Sequence, residues 1–190
     1  MKVFRVEAAH DLYDACQIDY DACKKLYPHL DSYSMNLNLD GERKSSDWWR
    51  RKIVRFGELP LGDYISHLVG DAIILTYDAI QKLQTVLGEN EILPLECDFG
   101  DYWAVNVLNV LDCIDYDKAD YKLFPNQREG ERPRIMRFRK YAFLPERLSD
   151  CHIFKIIDEP KSSIFVDEVF VNEVSKQYIT GFSFNLVWEG

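Results

Sequence analysis

The sequence predicts an α+β fold, a mostly antiparallel sheet with a few packed helices and a terminal strand-helix-strand unit. Three observations lead to it. The stretch from Ser163 to Trp188 changes period twice: Ile164-Phe165-Val166 is a short apolar run, Asp167 to Tyr178 repeats apolar residues at helical spacing, and Gly181 to Trp188 alternates. Tyr77 to Leu87 carries a second helical pattern between Thr76, a capping residue, and Gly88, a stop. Elsewhere, short apolar or alternating runs are bounded by Gly, Pro and Asp, as strands joined by turns are.

Taken in order, Lys2 to Ala8 alternates and reads as a first strand. Asp11 to Leu26 stays open: Leu12, Ala15, Cys16, Asp19, Cys23 and Leu26 could share a helix face, but the aspartates favour caps and turns. Asp31 to Ser46 is a polar loop with a turn at Asp40-Gly41. Trp48 to Phe56 reads as a strand in which aromatic and basic residues interleave, and Gly57 to Gly62 as a loop.

Ala72 to Leu75 is a short buried strand leading into the helix, which is expected to bury Tyr77, Ile80, Leu83 and Leu87. Each such side chain contributes roughly 1.5–3 kcal/mol, so this helix belongs to the core. Ile92 to Cys97 is a strand whose Pro94 suits a sheet edge. Tyr102 to Leu111 is almost wholly apolar, as a strand covered on both faces would be. Asn126 to Pro133 is a polar loop, Arg134 to Phe143 a strand with a basic face, and Ile153 to Ile157 another strand.

In the terminal unit Asp167 caps the helix and Phe170, Val174 and Tyr178 face inward. Gly181 supplies a positive φ, and Phe182, Phe184, Leu186 and Trp188 form one core face. Residues 1–58 read as the N-terminal part of the same domain as the α+β core, 59–190.

Composition narrows the function. No stretch approaches the roughly 20 apolar residues of a membrane span, and the N-terminus lacks a secretory signal, so a cytoplasmic protein is expected. Five cysteines with no close pairing read as reduced thiols. The net charge of −9 is unevenly distributed: Glu89 to Tyr121 holds nine acids against one base, and Lys122 to Arg147 eight bases against three acids. An acidic chain with one concentrated acidic block points to a basic protein partner and away from nucleic acid.

Catalytic patterns are missing. His10, His29, His67 and His152 stand in unrelated contexts, and there is no nucleophile elbow, phosphate loop or dinucleotide fingerprint. The spacing of Asp112, Asp115, Asp117 and Asp120 lacks the pattern of a calcium loop, so neither a metal nor another cofactor is expected. Two sets of candidate contacts remain. The first is the acidic block, Asp98, Asp101, Asp112, Asp115, Asp117 and Asp120, with Tyr102 or Tyr116 as aromatic anchors, facing a basic partner. The alternative is a ligand pocket, of a small binding or enzymatic domain, near Trp48, Trp49, Arg51 and Arg55.

One resemblance bears on this. The order Leu75 with its following helix, Leu93-Pro94-Leu95, the strand Tyr102 to Asp112 with its acidic exit, Ile153-Phe154-Lys155-Ile156 and the unit Ile164 to Trp188 is similar to the eleventh polymorphic-toxin immunity family. It spans the chain from about Leu59 onward. That resemblance implies a cytoplasmic, non-enzymatic antitoxin that binds the toxin domain of a bacterial polymorphic-toxin or contact-dependent competition system. It brings no catalytic residues with it.

Overall fold

The computed structural model of the chain describes residues 1–68, 72–127, 132–148 and 151–190. Part of the polar loop expected over 126–133 therefore lies outside the described residues. In chain order the first elements are β1 (Lys2–Ala8), β2 (Ala15–Ile18), α1 (Tyr20–Leu26), α2 (Ser32–Met35), β3 (Ile53–Arg55), β4 (Tyr64–His67), β5 (Ile73–Thr76) and α3 (Tyr77–Leu87). They are followed by β6 (Glu91–Pro94), β7 (Tyr102–Asn106), β8 (Val110–Leu111), β9 (Asp120–Leu123), β10 (Ile135–Lys140), β11 (Ile153–Ile156), β12 (Phe165–Asp167), α4 (Glu168–Lys176) and β13 (Phe182–Glu189).

The fold is α+β. A five-stranded sheet runs β13-β1-β12-β11-β8, a six-stranded sheet runs β3-β2-β4-β5-β7-β6, and β9 and β10 form a separate hairpin. Pairing is antiparallel except between β2 and β4 and between β8 and β11. One apolar cluster joins α3 and α4 to both sheets: Ile80 and Leu83 of α3 and Phe170 and Val174 of α4 meet Ile73, Leu75 and Val105 of one sheet and Val6 and Val166 of the other. A second cluster covers the opposite face of the six-stranded sheet with Met35, Leu37, Leu39 and the tryptophans Trp48 and Trp49. A third covers the opposite face of the five-stranded sheet, where Phe143 and Tyr141 lie over Val3, Phe154 and Phe165.

The caps follow local chemistry. Thr76 Oγ1 accepts from the Ala79 amide at 3.3 Å, and Gly88 ends α3 at φ +60°. Asp167 Oδ1 accepts from the Phe170 amide at 3.0 Å. In the open stretch 11–26, β2 comes first; Asp19 then caps α1 through the Ala22 amide at 2.9 Å. The loop expected over 31–46 contains the single turn α2, capped by Asp31.

Five expectations need correction. The run Tyr102 to Leu111 is two strands in different sheets, because side-chain amides take groups that a continuous ladder would have paired. Asn106 donates to Glu42 O at 2.7 Å, Asn109 to Ile153 O at 3.1 Å, and Asn90 accepts from the Leu108 amide at 2.7 Å. Only Ile53–Arg55 of Trp48 to Phe56 is strand. Tyr77 is exposed, as is Tyr178, which lies beyond α4 at φ +55°. The expected core face of the last strand is split by a bulge between Val3 and Phe4 of β1: Phe182 and Phe184 pack on the helices, Leu186 is exposed, and Trp188 crosses to the third cluster.

Candidate functional site

The acidic residues fall in two places. Asp98 and Asp101 occupy the turn that enters the six-stranded sheet before β7, whereas Asp112, Asp115, Tyr116, Asp117 and Asp120 lie on the segment that leaves the five-stranded sheet after β8 and runs into β9. Both groups reach solvent, but most of their charge meets a cation of the same chain. Asp98 is 3.2 Å from Lys52, Asp112 is 2.6 Å from Arg132 and 3.7 Å from Arg147, Asp115 is 2.8 Å from Lys118, and Asp120 is 3.4 Å from Arg139. The Arg132 hydrogen bond holds the Asp112 carboxyl below its usual range, and the Lys118 hydrogen bond does the same for Asp115. Asp101 accepts from Trp103 Nε1 at 2.9 Å. Asp117 is exposed.

Neither tyrosine is placed as an anchor. Tyr102 is 4% exposed and its hydroxyl donates to Gly62 O at 2.7 Å, so it is a core residue. Tyr116 is half-buried, donates to both oxygens of the Asp158 carboxylate at 2.9 Å and receives Arg132 Nη2 at 2.5 Å. Burial and that carboxylate push its phenol up to about 12, so Tyr116 stays a neutral donor locked to Asp158.

In the Trp48 to Arg55 stretch the side chains of Trp48, Trp49 and Arg51 stack on one another, and Arg55 makes a separate ion pair. Arg51 is buried with its guanidinium 4.0 Å from the Trp48 ring centre and 4.3 Å from that of Trp49, and Nη1 donates to Trp49 O at 2.9 Å. Trp48 Nε1 donates to Pro94 O, and Trp49 lies against Tyr27. This is a cation–π sandwich that closes the second core cluster, and desolvation lowers the Arg51 guanidinium to about 10. Arg55 turns elsewhere: its Nε donates to the buried Asp14 carboxylate at 3.0 Å, which also accepts from the Gly57 and Ala15 amides.

The cleft lies where β1 meets β4. It measures about 520 Å³ and is lined by polar groups including Arg5, Glu7, His10, Ser66, His67 and Ser163. His10 Nδ1 stands 3.5 Å from Ser66 Oγ. Glu7 Oε1 receives Arg5 at 2.6 Å and Asn185 at 3.2 Å, and the Arg5 contact lowers its pKa. Two histidines that look unrelated in sequence thus share one cleft. The signals were the outward alternation of Arg5 and Glu7 on β1 and the polar pair Ser66-His67 ending an apolar strand, but the three contributing segments are too far apart in sequence to be joined from it.

Among the described residues no three His, Cys, Asp or Glu side chains stand together as a metal site, and no helix is long and apolar enough to cross a membrane. His152 Nδ1 is 2.8 Å from Asp167 Oδ2, which ties this histidine to the α4 cap. The geometry thus offers exposed contact surfaces and a polar cleft between β1 and β4.

No curated protein matches the chain. The family match covers less of it than the resemblance read from sequence, leaving out β5, α3 and Leu93-Pro94-Leu95 while spanning the acidic turns, the hairpin and the terminal unit. Residues 97–188 match the model of the Immunity protein family (Imm11), the immunity family that the strand and turn order resembles.

Proposed function

We propose that this chain is an immunity protein that binds the toxin domain of a bacterial polymorphic-toxin or contact-dependent competition system and neutralises it by contact, in the cytoplasm of the cell that makes it. The observation that carries this reading is the match of residues 97–188 to the immunity family. Its work is binding, and no residue is assigned a catalytic role. Exposed acids, Asp98 and Asp101 at one turn and Asp112, Asp117 and Asp120 at the other, supply negative contacts for a basic region of the toxin; such contacts speed encounter and fix register more than they add affinity.

Co-expression with the toxin domain encoded beside it tests the reading. Growth is expected to be restored, and the two proteins to co-purify. Continued killing, with this chain present as folded protein and no complex recovered, would refute it. In that case the cleft between β1 and β4 is where a small polar ligand would be sought, in place of the Trp48 and Trp49 stretch.

A further inference from the structure

The β9–β10 hairpin is set apart from both large sheets. Aromatic contacts fix its inner side. Tyr121 meets Tyr116 at 5.8 Å and Phe138 at 6.0 Å, Phe138 stacks on Tyr141 at 4.9 Å, and Tyr141 continues into the core through Phe165 at 5.1 Å. The hairpin is therefore held in a set position. What it presents outward is both basic and apolar. Lys122, Arg134, Arg137, Arg139 and Lys140 are exposed, and beside them Leu123, Phe124 and Met136 are each 39% exposed.

The charges are arranged in a way that folding does not reward. Strand register sets Arg137 directly opposite Lys122, and like charges so placed oppose pairing. The one acid on these strands, Asp120, is 3.4 Å from Arg139. Among the described residues no carboxylate comes within ion-pair distance of Lys122, Arg134, Arg137 or Lys140, and Arg134 lies instead over the Phe124 ring at 5.4 Å. In a chain of net charge −9, where the acids 112, 115 and 120 have found partners, this cluster of cations has no acidic partner among the described residues.

We infer that the outer face of the β9–β10 hairpin is a docking surface for an acidic, partly apolar patch on a protein partner. The partner is the toxin domain, so the inference rests on the immunity reading and extends it from the acids to a contact of opposite sign. Phe124 and Met136 give the apolar part that protein interfaces use, and the four cations give its charged rim. Nucleic acid fits less well, because the rest of the chain repels a polyanion and the apolar residues find no use along a phosphate backbone.

The test measures association of the purified full chain with the toxin domain at low and high salt. The double variant Lys122→Glu, Arg137→Glu is expected to lose at least tenfold in association rate and affinity at low salt, with the gap narrowing at high salt. The single variant Lys122→Glu sets an acid opposite Arg137 and is expected to melt at or above the wild-type temperature while still losing association rate at low salt, so its loss of binding is not a loss of fold. Folded variants that bind as the wild type does overturn the hairpin surface and leave the immunity reading standing. A wild-type chain that does not bind the toxin domain overturns both. Salt-sensitive binding of a DNA duplex through Lys122 and Arg137, without toxin binding, assigns the hairpin to nucleic acid and overturns the inference.

Discussion

Replacing Gly181 with alanine is expected to lower the melting temperature by roughly 5–20 °C. The glycine sits at φ +96°, and a Cβ built there would come 2.0 Å from Tyr64 O and 2.9 Å from the Tyr64 carbonyl carbon. The neighbour is backbone, so no side-chain rotation relieves the overlap. It is also backbone that joins the two sheets, since the Tyr64 amide donates to Thr180 O at 2.9 Å and Gly181 O accepts from the Ala9 amide at 2.9 Å. Left-handed strain costs about 1–3 kcal/mol, overpacking about 1–3 kcal/mol more, and each kcal/mol shifts the midpoint by about 2–4 °C in a chain of this size. Gly88→Ala separates the two effects. Gly88 is also at positive φ, but nothing lies within 4 Å of its Cβ position, so it should show the smaller, strain-only loss. Thermal melts of both variants check this; equal losses, or a Gly181→Ala melt at the wild-type temperature, would contradict it.

Lys155→Met is expected to cost about 2–4 kcal/mol. Lys155 lies on β11 with no exposed surface, and its ammonium donates to Leu39 O and, at 3.0 Å, to Pro160 O. Methionine keeps most of the length and apolar stem but donates nothing, so the buried Leu39 carbonyl and its half-buried counterpart lose a donor. The loss should extend beyond β11, because Leu39 belongs to the loop that covers the six-stranded sheet. Chemical denaturation should show a lower midpoint, and hydrogen exchange should show faster opening around residues 37–39. A midpoint within about 0.5 kcal/mol of wild type, the range of an ordinary surface substitution, would mean that the lysine is not holding that loop.

Local rules carried the legible part of the fold. Thr76, Asp167 and Gly88 act where their chemistry suggests, since a cap depends on residues three or four positions away. Pro94 does lie on an edge strand, where its missing amide proton costs no ladder bond. Features that depend on distant partners were not legible. The bulge that sends Trp188 to the other face of the sheet is set by pairing with β1, and the change of sheet after β7 depends on Glu42, Glu91 and Ile153 receiving asparagine side chains.

The same division holds for the candidate surfaces. Composition shows where acids are dense, but the cations that meet Asp98, Asp112 and Asp120, namely Lys52, Arg132, Arg139 and Arg147, come from remote segments and could not be placed from it. In Trp48 to Arg55, interleaved aromatic and basic residues look alike whether they line a pocket or stack on one another. In the fold Arg51 is buried against both indoles, a contact between neighbours that the pattern alone does not distinguish. The basic face of β10 was visible as alternation, but that Arg137 stands opposite Lys122 and not opposite an acid becomes clear only with the register against β9.

The most direct test of neutralisation by binding is to titrate the purified toxin domain with this chain while following toxin activity. Contact neutralisation predicts a linear fall to zero with a break at a fixed stoichiometric ratio, and recovery of an inactive complex of that composition. Full activity in the presence of excess folded chain would contradict the account. So would loss of activity at a small fraction of an equivalent, which would mean that the chain turns over and acts as a catalyst.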